Sequence, residues 1–308
     1  MTLRPFILSL LTFTTLSATA QESPCPLPSE GPVQNLIFVA KPTEENCRLA
    51  QDLVDTLDQV RRTFLMAPPV TLVIGEQAGN ASFDNGHIIR IPQHLVFSDA
   101  QGGTYQANTE QLKTVVVHEY GHAILKEIWA QDFNEEFGEL FTGLEEISTI
   151  AETNLELKIS SRAVRQMSAQ LANSDAYSLY FKTLPAYSEL YADALAVIFF
   201  DDPAVMYKAL YYPQIPANKE VYIEPRNFAH EHSAEQLHAH PDEHTKLSLV
   251  RSFIGKNMPA NPEQKRHLMK RLERAMTLAI RDELSTTSTP SLEEANTRLL
   301  HYFLEQNP

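Results

Sequence analysis

The stretch VVVHEYGHAIL, residues 115–125, decides how the rest of the chain is interpreted. His118 and His122 are four residues apart, so on a helix both can present a ring nitrogen to one ion. Such a helix is apolar around most of its circumference and is therefore buried. Buried histidines and a buried glutamate need polar partners or a metal, which favours a metal site over a solvated helix face. The apolar residues that carry this inference are Val115, Val116, Val117, Ile124 and Leu125.

Glu119 lies beside the two histidines, rotated too far around the helix to bind the same ion in their plane. It is well placed to hold a water molecule on that ion. Zinc bound by an H-E-x-x-H helix lowers the pKa of its water towards ~7, and the glutamate accepts the proton as the water attacks a carbonyl. The pattern predicts one Zn²⁺ per chain, with Glu119 as the general base of a hydrolase.

A catalytic zinc needs a third protein ligand and one open coordination position. The H-E-x-x-H-x-x-G-x-x-H spacing does not supply it, because the later positions hold leucine and isoleucine here. We predict Glu189 as the third ligand, within SELYADALAV, where Asp193 follows at i+4 and can accept the free N–H of a ligating histidine. Glu146 in GLEEISTI is the competing ligand, although no acid follows it at i+4.

HEYGH followed by ELYAD, with Glu189 67 residues after His122, resembles the gluzincin metallopeptidases. It is most similar to the family of prenyl-protein endopeptidases and heat-shock membrane peptidases, whose third-ligand helix contains E-x-x-A-D. That family also carries a His-Pro followed by a basic residue, and His240-Pro241 and Lys246 are placed comparably, with lysine where arginine is usual. The resemblance spans roughly residues 74–254 and implies a zincin-like fold. Many relatives are embedded in membranes, and this chain resembles their soluble, exported members, so prenylated substrates are not implied.

A histidine-rich stretch, RNFAHEHSAEQLHAHPDEH, spans residues 226–244 and holds five of the chain's 11 histidines. Zinc hydrolases need a donor aimed at the oxyanion that forms on attack, and we take His240 as the first catalytic candidate. A neutral imidazole from this stretch could instead occupy the open position on zinc and gate the site. A solvated polar loop is the third interpretation. The other candidates are His230, His232, His238, Tyr222 and Arg226.

The N-terminus has the pattern of a secretory signal peptide at residues 1–20, in which Arg4 precedes an apolar run and an A-x-A site. No later apolar stretch reaches the roughly 20 residues that a transmembrane helix needs. We therefore expect an exported, soluble protein, periplasmic or secreted. Export permits oxidation, so Cys25 and Cys47 are expected to form a disulfide. The alternative is Cys25 in an inhibitory arm that reaches the metal.

The net charge of the chain bears on which classes of molecule it can bind. Lys plus Arg number 25 and Asp plus Glu 39, which gives a net charge of −14. This charge argues against nucleic acid or anionic lipid as a partner.

The order of elements predicts an α+β fold. Strands are expected at residues 35–40, 69–74 and 87–91, the last after the Asn85-Gly86 hairpin signal and serving as the edge that pairs with an extended peptide. The motif helix should begin at Asn108 or Thr109. A small N-terminal sheet with a hairpin edge strand would pack with the motif helix in one zincin-like domain, residues 21–255. The second half of this domain would be mostly helical. A helical extension, residues 256–308, would follow it. The other helices are expected at residues 43–65, 137–158, 161–173, 185–200, shortly after 203, 241–254, 262–284 and 292–304.

The sequence therefore predicts an exported zinc-dependent endopeptidase that acts on peptide or protein substrates. Two alternatives remain at this stage. The first is an exopeptidase on the same zinc site, which would need a group to hold a free terminus. The second is a non-catalytic binding or chaperone module with structural zinc, although structural zinc sites are usually cysteine-rich and have four protein ligands.

Overall fold

Four short strands form a mixed sheet in the N-terminal half of the chain, in the order β1-β2-β4-β3. In the computed structural model β1 is parallel to β2, β2 is parallel to β4, and β3 pairs antiparallel with β4. Two further strands, β5 and β6, form a separate antiparallel pair. The strands are β1 Val33–Phe38, β2 Val70–Gly75, β3 Ser82–Phe83, β4 Ile88–Pro92, β5 Val96–Ser98 and β6 Thr104–Gln106.

Ten helices are defined among the residues that the structure describes, and together with the sheet they give an α+β architecture. The structure describes residues 25, 31–75, 80–92, 95–98, 104–157, 162–211, 224–231, 243–244, 246–286 and 290–306. The expected signal peptide lies outside these ranges. The helices are α1 Glu44–Phe64, α2 Thr109–Asp132, α3 Asn134–Leu157, α4 Arg162–Leu171, α5 Asp175–Thr183, α6 Pro185–Phe200, α7 Val205–Leu210, α8 Ser248–Lys256, α9 Pro262–Ser285 and α10 Leu292–Glu305.

The sheet is covered on both faces. Leu72 and Ile89 belong to the main core, together with the apolar residues of α1 and α2. Val73, which follows Leu72, and Ile88, which precedes Ile89, contact Ala151 and Leu155 of α3. Because successive side chains of a strand point to opposite faces, the continuous apolar runs of β2 and β4 are those of strands buried on both sides.

The hairpin forms where Asn85-Gly86 predicted it, but the edge strand differs from the prediction. Asn85 has a φ of 63°, and a side chain at Gly86 would lie 1.7 Å from Ser148 Oγ, so only glycine fits there. The strand predicted at residues 87–91 is β4, which lies between β2 and β3. The edge is therefore β3, a two-residue strand that was not predicted and that pairs with β4.

Several other boundaries differ from those expected. The strands β5 and β6 and the helix α5 lie where the sequence predicted neither strand nor helix. Helix α8 begins at Ser248, whereas a helix was expected from residue 241. Helix α2 begins where predicted, because Asn108 caps it by accepting a hydrogen bond from Gln111 N while the Gln111 side chain accepts one from Asn108 N.

The C-terminal helices share the core of the rest of the molecule. Met269, Leu272 and Met276 of α9 and Phe303 of α10 are buried in the same hydrophobic cluster as α1, α2 and α6. The boundary predicted between residues 255 and 256 falls within α8.

At the N-terminal end, Cys25 and Cys47 form a disulfide, which joins Cys25 to α1 and leaves no thiol for a metal-directed arm. Across the described residues, none of the helices combines the length and hydrophobicity needed to span a membrane.

A polar network centred on His87 connects the sheet to α3. His87 Nδ1 lies 2.7 Å from Glu145 Oε1, and its Nε2 lies 2.8 Å from Glu152 Oε2. Glu152 Oε1 also accepts hydrogen bonds from Thr71 and Asn35. The hydrogen bond to Glu145 is the main cause that raises the pKa of His87 to about 9, and the same bond lowers the pKa of Glu145 to about 2.

Replacing His87 with glutamine should therefore destabilise the fold in a pH-dependent way. The folded pKa lies above the ordinary value, so the contribution of the charged ring is complete below about pH 6.5 and is lost as the pH rises through about 9. We expect the variant to lose about 2 kcal/mol of unfolding free energy at pH 6 and almost none at pH 9.5. Urea titrations at both pH values measure this, with His267→Gln on the exposed face of α9 as the control. An equal loss at both pH values would contradict the charge-based explanation.

Candidate metal centre

Helices α2 and α6 approach each other closely enough to bring their polar faces together. A Cβ at Gly121 would lie 2.7 Å from the Cα of Ala192, so glycine is required at the point of closest approach. Gly121 lies between His118 and His122 on α2, and Ala192 follows Glu189 by less than one turn on α6. The close approach therefore places the two histidines opposite the glutamate.

The three predicted ligands meet with the spacing of a metal site. The Nε2 atoms of His118 and His122 lie 3.1 Å apart, and they lie 3.4 and 3.5 Å from the two carboxylate oxygens of Glu189. Ligand atoms about 2.0–2.1 Å from a tetrahedral zinc are separated by roughly 3.3–3.4 Å, and the separations of 3.1 to 3.5 Å between the two nitrogens and the carboxylate oxygens are close to that value. Glu189 Oε2 is also buried, and among the described residues its polar neighbours are the nitrogens of His118, His244 and Arg226 at 3.4, 3.3 and 3.7 Å. His118, His122 and Glu189 can hold a metal ion.

Each histidine is oriented by a side chain of α6. His118 Nδ1 lies 3.0 Å from Asp193 Oδ1, and His122 Nδ1 lies 2.7 Å from Ser188 Oγ. Both contacts engage Nδ1, so that Nε2 of each ring faces Glu189, as in ligating histidines held through their other nitrogen. Arg226 Nη2 also lies 3.2 and 3.3 Å from Nδ1 and Nε2 of His118. The sequence indicated Asp193 by its i+4 spacing, but Ser188 carries no comparable signal and was missed.

Asp193 is itself held by two arginines. Arg226 Nη2 lies 2.5 Å from Asp193 Oδ1 and Arg251 Nη2 lies 2.9 Å from Oδ2, and Asp193 and the side chain of Arg251 are 0% exposed. Burial alone would raise the pKa of Asp193, but the guanidinium groups of Arg226 and Arg251 hold it well below its usual value. Arg226 was predicted only as a minor candidate and Arg251 not at all, whereas Lys246 was expected as the family's basic residue.

Glu119 is buried next to the three ligand side chains without belonging to their cluster. Burial raises its pKa to about 7, the charge of His118 opposes that rise, and a backbone hydrogen bond from Phe83 also opposes it. Phe83 belongs to β3, so Glu119 lies between the ligand cluster and the edge of the sheet. This is the position expected for a general base that lies between a metal ion and a substrate bound along the edge strand.

One histidine of the polar stretch reaches the cluster. His244 Nε2 lies 3.3 Å from Glu189 Oε2, although we did not single it out from the sequence. His230 is exposed and contacts Glu224 and Asn227 instead. His240, His232, His238 and Tyr222 lie outside the described residues. Glu146, the competing ligand, is exposed on α3, where it lines a cavity with Lys126 and Thr149 rather than joining the cluster.

Replacing Ser188 with alanine should weaken metal binding while the fold is retained. The change removes the hydrogen-bond partner of His122 Nδ1. The loss of a side chain that hydrogen bonds to a metal ligand lowers metal affinity by ~10-fold or more. Competitive titration with a chromophoric chelator measures it, with Ser178→Ala on α5 as the control. Unchanged affinity in Ser188→Ala would show that the hydroxyl does not orient the ring.

No known protein family matches the chain, and no curated protein or solved structure shows significant similarity to it. Membership of the gluzincin family therefore stays a prediction from HEYGH and ELYAD.

Proposed function

We propose that the protein is an exported zinc-dependent endopeptidase in which His118, His122 and Glu189 bind Zn²⁺. The observation that carries the proposal is the convergence of two Nε2 atoms and a carboxylate at 3.1 to 3.5 Å on two closely packed helices. Two imidazoles and one carboxylate are the ligand set of several catalytic zinc sites, which keep one position for water. Bound zinc would supply Lewis-acid chemistry and acidify that water.

Side chains around the metal site would carry out proton transfer, ligand orientation and charge stabilisation. Glu119 accepts a proton from the attacking water and passes it to the leaving amine. Asp193 and Ser188 keep the ligating nitrogens in place, while His244 is the described loop histidine near enough to help stabilise negative charge on the substrate oxygen.

The edge strand β3 favours a peptide substrate. Phe83 of this strand hydrogen bonds to Glu119, and among the described strands β4 alone pairs with it. An extended peptide that pairs with the other side of β3 would place its backbone beside Glu119 without a requirement for a particular sequence. A small mixed sheet with an antiparallel edge strand next to the motif helix supports a zincin-like interpretation of the α+β fold, and the Cys25–Cys47 disulfide supports export.

Digestion of casein and of a peptide library by the zinc-loaded protein tests the proposal. Internal cleavage that stops with a chelator is expected, and Glu119→Gln should keep the metal and lose turnover by ~10²-fold or more, because only the proton acceptor is changed. Trimming from the termini alone would indicate the exopeptidase. Loss of the metal together with activity in Glu119→Gln would mean that Glu119 is a ligand, and no cleavage by the zinc-loaded wild type would indicate the binding module.

A further inference from the structure

One exposed face of α9 carries a row of basic side chains that line a groove. His267, Lys270, Arg271 and Arg274 are spaced i, i+3, i+4 and i+7, so they lie along one side of the helix. They line a cavity of about 720 Å³ whose other wall is formed by residues 257–259, Glu305 and Gln306. This groove is separate from the metal ligands.

The groove carries more positive than negative side chains, although Glu305 lines it and Glu273 interacts electrostatically with Lys270 and Arg274. Within the part of the chain that the structure describes, Lys270, Arg271 and Arg274 form no ion pair with a carboxylate, whereas Lys265 of the same helix pairs with Asp201 at 2.7 Å. Arg271 is also fixed in place, because its Nε donates a hydrogen bond to the Phe303 carbonyl and its guanidinium lies 4.5 Å from the centre of the Phe303 ring. A local cationic groove on a chain with a net charge of −14 is complementary to an acidic partner.

Apolar surface accompanies the charges. Met258, Pro259 and Leu268 line the groove, and the nearby Leu278 and Leu304 are 37% and 45% exposed. A solvated row of charges needs no such apolar lining. A groove that joins cations to exposed leucines fits a ligand with both acidic and apolar groups.

The groove continues along the helix. A second cavity of about 460 Å³ shares Arg274 and Gln306 with the first. Further along it is lined by Leu278 and Arg281 of α9, and its acidic lining residues are Asp132 and Glu273. From His267 to Arg281 the helix rises about 21 Å, which matches about six residues of an extended peptide. The site is recessed between α9 and the ends of α8 and α10, whereas a bilayer surface would need a protruding face.

We propose that this α9 groove binds an acidic, leucine-containing peptide segment of a partner protein. The carboxylates of the segment pair with Lys270, Arg271 and Arg274, and its apolar side chains cover Leu268 and Leu278. This proposal does not depend on the metal site or on peptidase activity, because none of its contacts involves His118, His122 or Glu189.

Fluorescence anisotropy with a labelled 12-residue peptide of sequence ELLEELLEELLE tests the groove. The full mature chain carrying Glu119→Gln is used, so that the probe survives if the protein is a peptidase. Saturable binding is expected, with an affinity that falls several-fold between about 50 and 300 mM salt. Reversing two charges by Lys270→Glu with Arg274→Glu should weaken binding by at least ~10-fold.

The matched control is Arg162→Glu with Arg165→Glu on exposed α4, which changes the net charge by the same amount and should leave the affinity within about twofold. A peptide in which serine replaces every leucine should bind ~10-fold more weakly or worse. Equal weakening in both double variants would overturn the proposal, since it would reflect net charge alone. Binding of phosphatidylglycerol vesicles through these residues, without binding of the peptide, would also overturn it.

Discussion

Replacing Glu189 with alanine should weaken zinc binding by more than ~100-fold, because it removes one of the three proposed protein ligands, a larger change than the loss of a side chain that only contacts a ligand. The replacement also leaves the Nε2 atoms of His118 and His122, 3.1 Å apart, to hold the ion alone. Zinc affinity measured by competition with a chromophoric chelator gives the result directly.

Glu146→Ala provides the matched control, since it removes the glutamate that the sequence offered as the competing ligand. Glu146 is exposed on α3 and lies outside the cluster, so its replacement should leave affinity within about twofold. If Glu146→Ala released the metal and Glu189→Ala did not, both the ligand assignment and the family resemblance would be wrong.

Replacing Asp193 with alanine should cost ~3–5 kcal/mol of unfolding free energy, because it leaves two buried arginines without their carboxylate. From the sequence, Asp193 was expected only to accept the free N–H of a ligating histidine, a contact whose loss weakens metal binding by ~10–100-fold. The structure adds the contacts from Arg226 and Arg251 to both oxygens of the same buried side chain, so the loss in stability should be the larger effect.

Denaturant titrations should be made with chelator present for every variant, because bound metal stabilises the folded state by mass action. Asp202→Ala serves as the control, since it breaks a more exposed ion pair with Lys208 and should cost less than about 1 kcal/mol. The double variant Asp193→Leu with Arg251→Met should recover part of the loss, because it replaces a buried charge pair with apolar side chains. Unfolding of Asp193→Ala at the same denaturant concentration as wild type would contradict the role of this carboxylate.

The sequence predicted the parts of the site that regular helices position. A helix fixes the relation between residues four apart, so the i, i+4 spacing alone paired His118 with His122 and Glu189 with Asp193. The apolar surroundings of both pairs also predicted their burial. The structure brings these four side chains together in one cluster.

Contacts between distant elements could not be predicted in this way. Ser188 is next to Glu189 in sequence, yet its role depends on how closely α6 approaches α2 at Gly121. Arg251 lies 58 residues from Asp193, and no local pattern distinguishes it from other arginines. Lys246 was chosen instead because the family resemblance was aligned on His240-Pro241, which lies outside the described residues.

The fold shows the same division between local and tertiary information. The Asn85-Gly86 turn is local, and it was predicted. The edge strand β3 has only two residues, too few for an alternating pattern, so the neighbouring β4 was mistaken for the edge. Helix α5 has only nine residues, and the i, i+3, i+4 spacing of Tyr177, Tyr180 and Phe181 was overlooked. A helix this short depends on its packing against α3 and α6 for stability.

The zinc content of the wild-type protein tests the central claim most directly. Mature protein purified without chelators and dialysed against metal-free buffer should retain about one Zn²⁺ per chain by plasma mass spectrometry, and His118→Ala or His122→Ala prepared in parallel should retain almost none. Wild-type protein that is folded but holds no zinc, and takes up none from buffered zinc, would contradict the account.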